Sequence, residues 1–597
     1  MLKRFTLILL VLLSLSACKN VLNINLKQVQ NDPNAEICYG DFLTNSPYAK
    51  GAGTLSDPYI ICTADQFSEI TNNLSHLNSV FSIKKNLDFS DVSFDGIGDS
   101  INPFTGKILG NNHILSNIAI NKGSGDEVGL INSAKLAYIS NLILKDITIT
   151  ATNSDNVGGL IGYCDSSVIK NVSILNSNIS GNSFVGSLMG DTYGCNGRNI
   201  IVNGAVSAIS SYAGGLSGYA SSLRMTNIEI DIINNSPTAY GVGGLIGGDG
   251  CPDHIQNAHV RGIITGNDSI GGFEGDNSDG LLIYRSSFTG TLNGTTNIGG
   301  FTGSAYDSPL YYFSCSADVT INGESNLGGF VGYHGYRTRA YDSYVKGSIN
   351  SSGATQNNVG GFWGFVQYYG DIYTSYSNMT ITGSSSNVGG AVGNIDYWNA
   401  SYGIDNSFVV NDVQGSSASN TVSLFTGVNT DIPLTGTNFY YWSGATCDNQ
   451  AGGGCNSMDG TPHGTLSDFY APGILPLFDF WNFDKIWQIV PDSYPILNLT
   501  QYSVPSVSHT CSNTGQVAVA YQCTPVITDD DINETRFIIL EEDHSCGWLS
   551  YSLYSSTLIK LTGTPTADDI GTCLVSFIVT DGKYDSQVFS YTLNISP

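Results

Sequence analysis

Val157-Gly158-Gly159-Leu160-Ile161-Gly162 is one copy of an apolar-Gly-Gly-apolar-x-Gly hexapeptide that recurs down the middle of this 597-residue chain. Further copies start at Ala213, Val242, Ile270, Ile298, Leu327, Val359 and Val388, and weaker ones at Val128, Val185 and Val422. From Val128 onward the starts lie 29, 28, 28, 29, 28, 28, 29, 32, 29 and 34 residues apart. So regular a period marks one structural unit stacked about eleven times.

Between the hexapeptides run stretches such as Val168-Ile169-Lys170-Asn171-Val172-Ser173-Ile174 and Met225-Thr226-Asn227-Ile228-Glu229-Ile230. They alternate with a period of two and carry no helical periodicity. A unit of 28 residues then holds about three short strands with their turns, the size of one β-solenoid rung. Rungs add ~4.8 Å each, which makes a rod of roughly 50 Å. Asn171, Asn199 and Asn227 fall 14 residues after the start of their motifs, and Asn257 falls 15 after its own. Asparagines aligned on successive rungs predict a hydrogen-bonded ladder. Paired glycines offer no side chain, so another backbone can approach closely, and the third glycine is expected to supply positive φ at the next turn. No Lys-Ser/Thr follows the glycines and no helix begins there, so a phosphate-binding loop is excluded.

The N-terminus gives Lys3 and Arg4, an apolar run from Phe5 to Leu15, and then Leu15-Ser16-Ala17-Cys18. That order is an export signal, and no later stretch reaches the ~20 apolar residues of a membrane-spanning helix. The tetrapeptide resembles the lipobox of bacterial lipoproteins. The resemblance implies cleavage before Cys18, lipidation of Cys18 and attachment to a membrane through that lipid. Residue 19 is Lys rather than Asp, which resembles lipoproteins sent to the outer membrane. Of the 13 cysteines, 12 remain after Cys18, an even number in an exported chain, so disulfides are expected. Close neighbours suggest Cys38 with Cys62, Cys447 with Cys455, and two bridges among Cys511, Cys523, Cys546 and Cys573. A net charge of −27 with only 23 Lys+Arg argues against nucleic acid and anionic lipid as partners, because both need a basic surface.

The hexapeptide and its flanks resemble the GLUG repeat of bacterial surface proteins, over roughly half of the chain. Upstream, the resemblance rests on Gly51-Ala52-Gly53-Thr54-Leu55, Ala64-Asp65-Gln66-Phe67 and Pro103-Phe104-Thr105-Gly106. Downstream it rests on Phe480-Trp481-Asn482-Phe483 and Tyr494-Pro495-Ile496-Leu497. The fold expected is all-β: a parallel β-solenoid capped at both ends, with Trp481 and Trp487 covering the last rung, followed by a small β-sandwich. Candidate sandwich strands include Val517–Tyr521, Arg536–Leu540, Leu574–Val579 and Phe589–Leu593. Leu561-Thr562-Gly563-Thr564-Pro565 and Val579-Thr580-Asp581-Gly582 resemble bacterial Ig-like and cadherin-like modules. The domain plan is a signal peptide (1–17), a lipidated N-terminus and linker (18–40), an N-terminal cap with the first rungs (41–125), the repeat solenoid (126–432), a C-terminal cap (433–500) and the sandwich (501–597).

No catalytic constellation stands out, and no cofactor is expected beyond Ca²⁺. Asp529, Asp530, Asp531 and Asp581 could ligate that ion, although a solvated acidic turn accounts for them as well. Asp165, Asp191, Asp249, Glu274, Asp276 and Asp307 follow the glycine motif at varying offsets, which reads as a solvated turn edge. A tyrosine stripe comprises Tyr284, Tyr311, Tyr312, Tyr341, Tyr344, Tyr373 and Tyr376, either exposed as flat area for a protein or glycan or half of it turned into the core. The leading expectation is a non-enzymatic, lipid-anchored surface protein for adhesion or extracellular binding. An envelope spacer and a carbohydrate-active β-helix enzyme are the alternatives.

Overall fold

The computed structural model describes residues 38, 46–251, 253–306, 309–352, 358–383, 387–395, 403–415, 421–423, 426–429, 437–445, 447–449, 461–498, 505–529, 538–541, 546, 548–555, 558–580 and 586–597. One rung shows the plan of the rod. Strands Leu281–Tyr284, Ser287–Asn293, Thr296–Gly299 and Thr302–Ala305 follow one another around the coil. Each pairs in parallel with its counterpart one rung on: Leu281 with Leu310, Ser287 with Ser316, Thr296 with Ser325 and Thr302 with Val331. The strands that follow the hexapeptide form their own eleven-stranded sheet, so the described residues make about eleven turns of solenoid. The expected three strands per rung hold in the middle of the rod, as in Ser217–Ser221, Arg224–Asn235 and Tyr240–Gly243, whereas the later rungs have four, and corners that use a single residue in the left-handed region set the number. Arg285 (φ 49°) follows one strand directly, and Asn257 (φ 52°) bends Asp253–Thr265 without interrupting it.

The glycines act by close approach alone. None of Gly158, Gly159 and Gly162 has positive φ, contrary to the expectation for the third. A methyl group on Gly158 would overlap the carbonyl oxygen of Ile161, and one on Gly159 would overlap that of Ser187 in the next rung. One on Gly162 would lie 2.5 Å from the Val128 nitrogen in the preceding rung. The chain folds back on itself here with backbone against backbone. Positive φ falls instead on the residue before the motif, as at Asn156 (54°), Tyr212 (54°) and Asn297 (55°).

The asparagine ladder is present and longer than its expected four members. Asn171 donates to Asn141 at 2.7 Å, Asn199 to Asn171 at 2.7 Å, Asn227 to Asn199 at 3.0 Å and Asn257 to Asn227 at 2.6 Å. Each of these residues occupies the left-handed region, which asparagine tolerates better than other side chains. A second ladder, Asn297–Asn326–Asn358–Asn387, runs along the motif side at 2.8, 2.7 and 2.7 Å. Inside, Phe273, Phe301, Phe330 and Phe362 stack at 4.6, 4.9 and 5.4 Å between centroids.

The N-terminal cap is the helix Ala64–Asn72, opened by Thr63 accepting the Gln66 N–H. Its Phe67 and Ile70 are buried, with Phe67 packed against Phe89 and Phe94. The C-terminal segment forms a five-stranded and a four-stranded sheet around Leu561, Val575, Phe577 and Leu593. Of the expected strand Val517–Tyr521, Val517–Val519 is a turn, with Ala518 at φ 59°, and Tyr521 opens the strand Tyr521–Cys523.

Candidate functional site

A second repeat signature lies at one corner of the later rungs. It reads Tyr341-Asp342-Ser343-Tyr344 and Tyr373-Thr374-Ser375-Tyr376, with variants Tyr284-Arg285-Ser286-Ser287, Phe313-Ser314-Cys315-Ser316 and Asp405-Asn406-Ser407-Phe408. The second residue takes positive φ in all five, between 47° and 53°. That turns the third residue inward, where Ser343 Oγ accepts the Cys315 N–H at 3.1 Å and donates to the Tyr341 carbonyl at 2.7 Å. Ser375 and Ser407 repeat the arrangement, accepting the N–H of the serine one rung earlier at 2.9 and 3.1 Å. The first and fourth residues are left outside, on either flank of the corner. Two aromatic spines result.

The first spine stacks Tyr284, Phe313, Tyr341 and Tyr373 at 4.8, 4.9 and 4.9 Å, within 9° of parallel. Tyr311 stands beside Phe313 at 6.4 Å, and Arg339 Nε pairs with Asp371 Oδ2 at 2.7 Å on the same surface. Phe313, Tyr341, Tyr373 and Tyr311 are half-buried, whereas Tyr284 is buried. Rings stacked this closely use up their faces on one another. What reaches solvent is ring edge and, at Tyr341 and Tyr373, phenol. Burial raises both phenols above the ordinary value, so they stay neutral donors.

The second spine, Tyr344–Tyr376–Phe408, stacks at 5.0 and 5.0 Å and is covered by the segment 461–498. Trp487 packs 6.1 Å from Tyr376, and Trp481 stacks 5.7 Å from Phe408. Trp481 Nε1 donates to the Asn406 carbonyl at 2.7 Å, and the Tyr376 hydroxyl to that of Pro495 at 3.0 Å. These tryptophans therefore cover the flank of three rungs rather than the end of the rod. The tyrosine stripe divides accordingly. Tyr284, Tyr312 and Tyr376 are buried and drop out as binding residues. Tyr311 and Tyr312 are neighbours on one strand and must face opposite ways. Tyr312 goes inward, between Phe301 and Phe330, and donates to Thr302 Oγ1 at 2.8 Å. Tyr344 is half-buried under Trp487. Tyr311, Tyr341 and Tyr373 remain as the accessible set.

The solvated-edge reading of the carboxylates fails for three of the six. Asp249, Glu274 and Asp276 are buried, with Asp249 and Glu274 at the register positions of buried Ala220 and Ile246 in the preceding rung. Asp276 accepts the Ser304 hydroxyl at 2.6 Å, whereas Asp249 and Glu274 share the Asn277 amide. Asp165 is half-buried and paired with Lys135 at 2.9 Å, and burial pushes half-buried Asp191 up to about 6. Asp307 lies outside the described residues, as do Cys18, Cys455, Asp530, Asp531 and Asp581. Asp529 is buried at the sandwich.

Cys38–Cys62, Cys511–Cys523 and Cys546–Cys573 are bonded. A further bridge, Cys164–Cys195, joins adjacent rungs across a separation of 31 residues. Close-neighbour pairing misses it, and its cysteines lie 7 and 10 residues after their motif starts, so phase does not flag it either. Among the described cysteines, Cys251 and Cys315 are free.

No protein-family profile matches the chain. Halomucin of Haloquadratum walsbyi is 28% identical over 155 residues, covering 24% of this chain and 2% of that protein. A putative Gly-rich membrane protein of Evansella cellulosilytica is 31% identical over 136 residues, covering 22% of this chain and 16% of that protein. An IgA1 protease structure overlaps 87% of this chain and 34% of its own at a TM-score of 0.26 and 13% identity. An endo-fucoidan hydrolase overlaps 17% of this chain and 16% of its own at 0.13 and 18% identity. Among the described residues, no helix is long and apolar enough to cross a membrane. The chain is thus similar to short stretches of two longer proteins, one of them named as a membrane protein.

Proposed function

We propose that this protein is a lipid-anchored bacterial surface protein of the GLUG-repeat kind, whose rod presents the first aromatic spine to an extracellular protein ligand. The lipobox-like segment ending at Cys18 supports outer-membrane anchoring, and the similarity to halomucin and a Gly-rich membrane protein supports a surface location. The observation that carries the binding reading is the strip of Tyr311, Tyr341 and Tyr373 beside the Arg339–Asp371 pair. Along Phe313, Tyr341 and Tyr373 the surface repeats every 4.9 Å, the spacing of strands, and it offers edges and hydroxyls. A pyranose ring stacks on an aromatic face, and those faces are already used, so an extended protein segment fits better than a glycan. Neither catalysis nor a cofactor enters this reading.

The test is attachment of intact cells, together with protein and glycan arrays probed with the purified mature chain. Replacing Tyr341 and Tyr373 by Ser is expected to weaken protein binding by about tenfold or more, the scale of losing an interface hot spot. Unchanged attachment after deleting the protein would reject adhesion and leave a structural spacer, a role the two asparagine ladders and stacked spines would also suit.

A further inference from the structure

The corner after the fourth strand is filled by different chemistry at different heights of the rod. One inward position is Cys164, Thr192, Ala220 and Asp249 in successive rungs, and then Asn277, Ala305 and His334. Lower down, one rung above Ala134, Cys164 closes the corner through its bond to Cys195. Higher up, Asp249, Asp253 and Glu274 fill it, at 1%, 0% and 1% exposure.

Their hydrogen bonds are too few for three charges. Asn277 Nδ2 donates to Asp249 Oδ2 at 2.9 Å and to Glu274 Oε2 at 3.0 Å. Asp249 Oδ1 accepts the Ser278 N–H at 2.9 Å, and Asp253 Oδ1 accepts that of Leu223 at 2.7 Å. Asp253 Oδ2 and Glu274 Oε1 are buried with no hydrogen-bond partner. The other titratable groups nearby do not compensate. Asp276 and Asp279 add negative charge from the same strand and the turn after it, and Glu274 in turn raises Tyr312 in the next rung. Tyr219 lies in the preceding rung. His254, on the strand of Asp253, is held neutral by burial and by Arg224, and His334 is neutral through burial alone. Among the described residues no salt bridge reaches the trio, and its side chains do not converge as ligands for a metal ion.

We propose that Asp249, Asp253 and Glu274 form a proton-dependent lock in the middle of the rod, closing the corner as neutral acids and loosening the surrounding rungs when alkaline medium ionises them. As neutral acids Asp253 and Glu274 keep one oxygen bonded and leave only an uncharged O–H without a partner, a far smaller penalty than a buried unpaired charge. Burial raises all three acids, Asp249 to about 8. The unfolded value is near ~4. A carboxyl raised in the folded state contributes stability that is complete below the unfolded value and is lost as pH climbs through the folded one. Stability therefore falls with rising pH from about 4 upward, through about 8 for Asp249, with Asp253 and Glu274 also held well above the ordinary carboxylate range.

The experiment follows thermal unfolding and limited proteolysis of the full chain from pH 5 to pH 9.5, in the wild type and in D249N/D253N/E274Q. The wild type should lose Tm with rising pH and gain cleavage within 246–281. The neutral variant should keep its Tm, with the slope at least halved. Coincident slopes would overturn the proposal. Should the triple variant not fold, infrared spectroscopy of the wild type at neutral pD decides: a protonated carboxylic acid C=O band is expected, and its absence refutes the lock.

Discussion

Asn199 shows what a single position must satisfy in this rod. Its backbone is left-handed at φ 54°, its amide donates to Asn171 and its oxygen accepts from Asn227. Asn199→Ala removes two hydrogen bonds and leaves a strained conformation, an expected loss of about 2–3 kcal/mol. Asn199→Gly relieves the strain and should cost about 1–2 kcal/mol, so denaturant unfolding of the two variants separates bonding from conformation. This ladder was legible because its members share a phase within the repeat. The second ladder, including Asn297 and Asn326, stands just before the hexapeptide and was equally available to the eye. The buried carboxylates were not, because a charged residue after a turn is ordinarily solvated. Only the register of the fourth strand turns Asp249 and Glu274 inward. The glycines were half legible: close approach follows from composition, whereas the sign of φ at Gly162 depends on where the chain folds back.

At the scale of the element, the segment 461–498 acts as a strap along one flank. Trp487 is fully buried there, packed on the second spine and on Trp481 at 4.3 Å. Trp487→Ala should cost about 3–5 kcal/mol, with the strap becoming protease-sensitive while the solenoid keeps its circular dichroism. Loss of both together would show that the strap holds the rungs rather than lies on them. Trp481 and Trp487 advertise a covering element in the sequence, but their address was misjudged. Exposed ends are the familiar liability of a solenoid, and the apolar flank made by Tyr344, Tyr376 and Phe408 becomes visible only once the aromatic-x-Ser-aromatic corner is recognised. In the later rungs that corner divides the coil into four strands, whereas earlier rungs keep the expected three.

For the whole molecule, the repeat period carried nearly all of the architecture: parallel rungs, their number, and a separate two-sheet module after them. Details that depend on contacts between rungs were lost to a linear reading, and Cys164–Cys195 is the clearest of them. Its consequence is mechanical. Each rung is bonded to its neighbours along the rod axis, so a pull on the two ends peels the stack open. A rung of 28 residues then releases roughly 95 Å of chain. Within the rungs this bridge ties one such loop shut across its 31-residue separation, so it should hold back roughly 100 Å of single-molecule extension until a reductant is added, beyond what the three bridges of the flanking segments hold back. Among its described rungs, a rod loaded by flow would thus keep a link that does not yield to force alone.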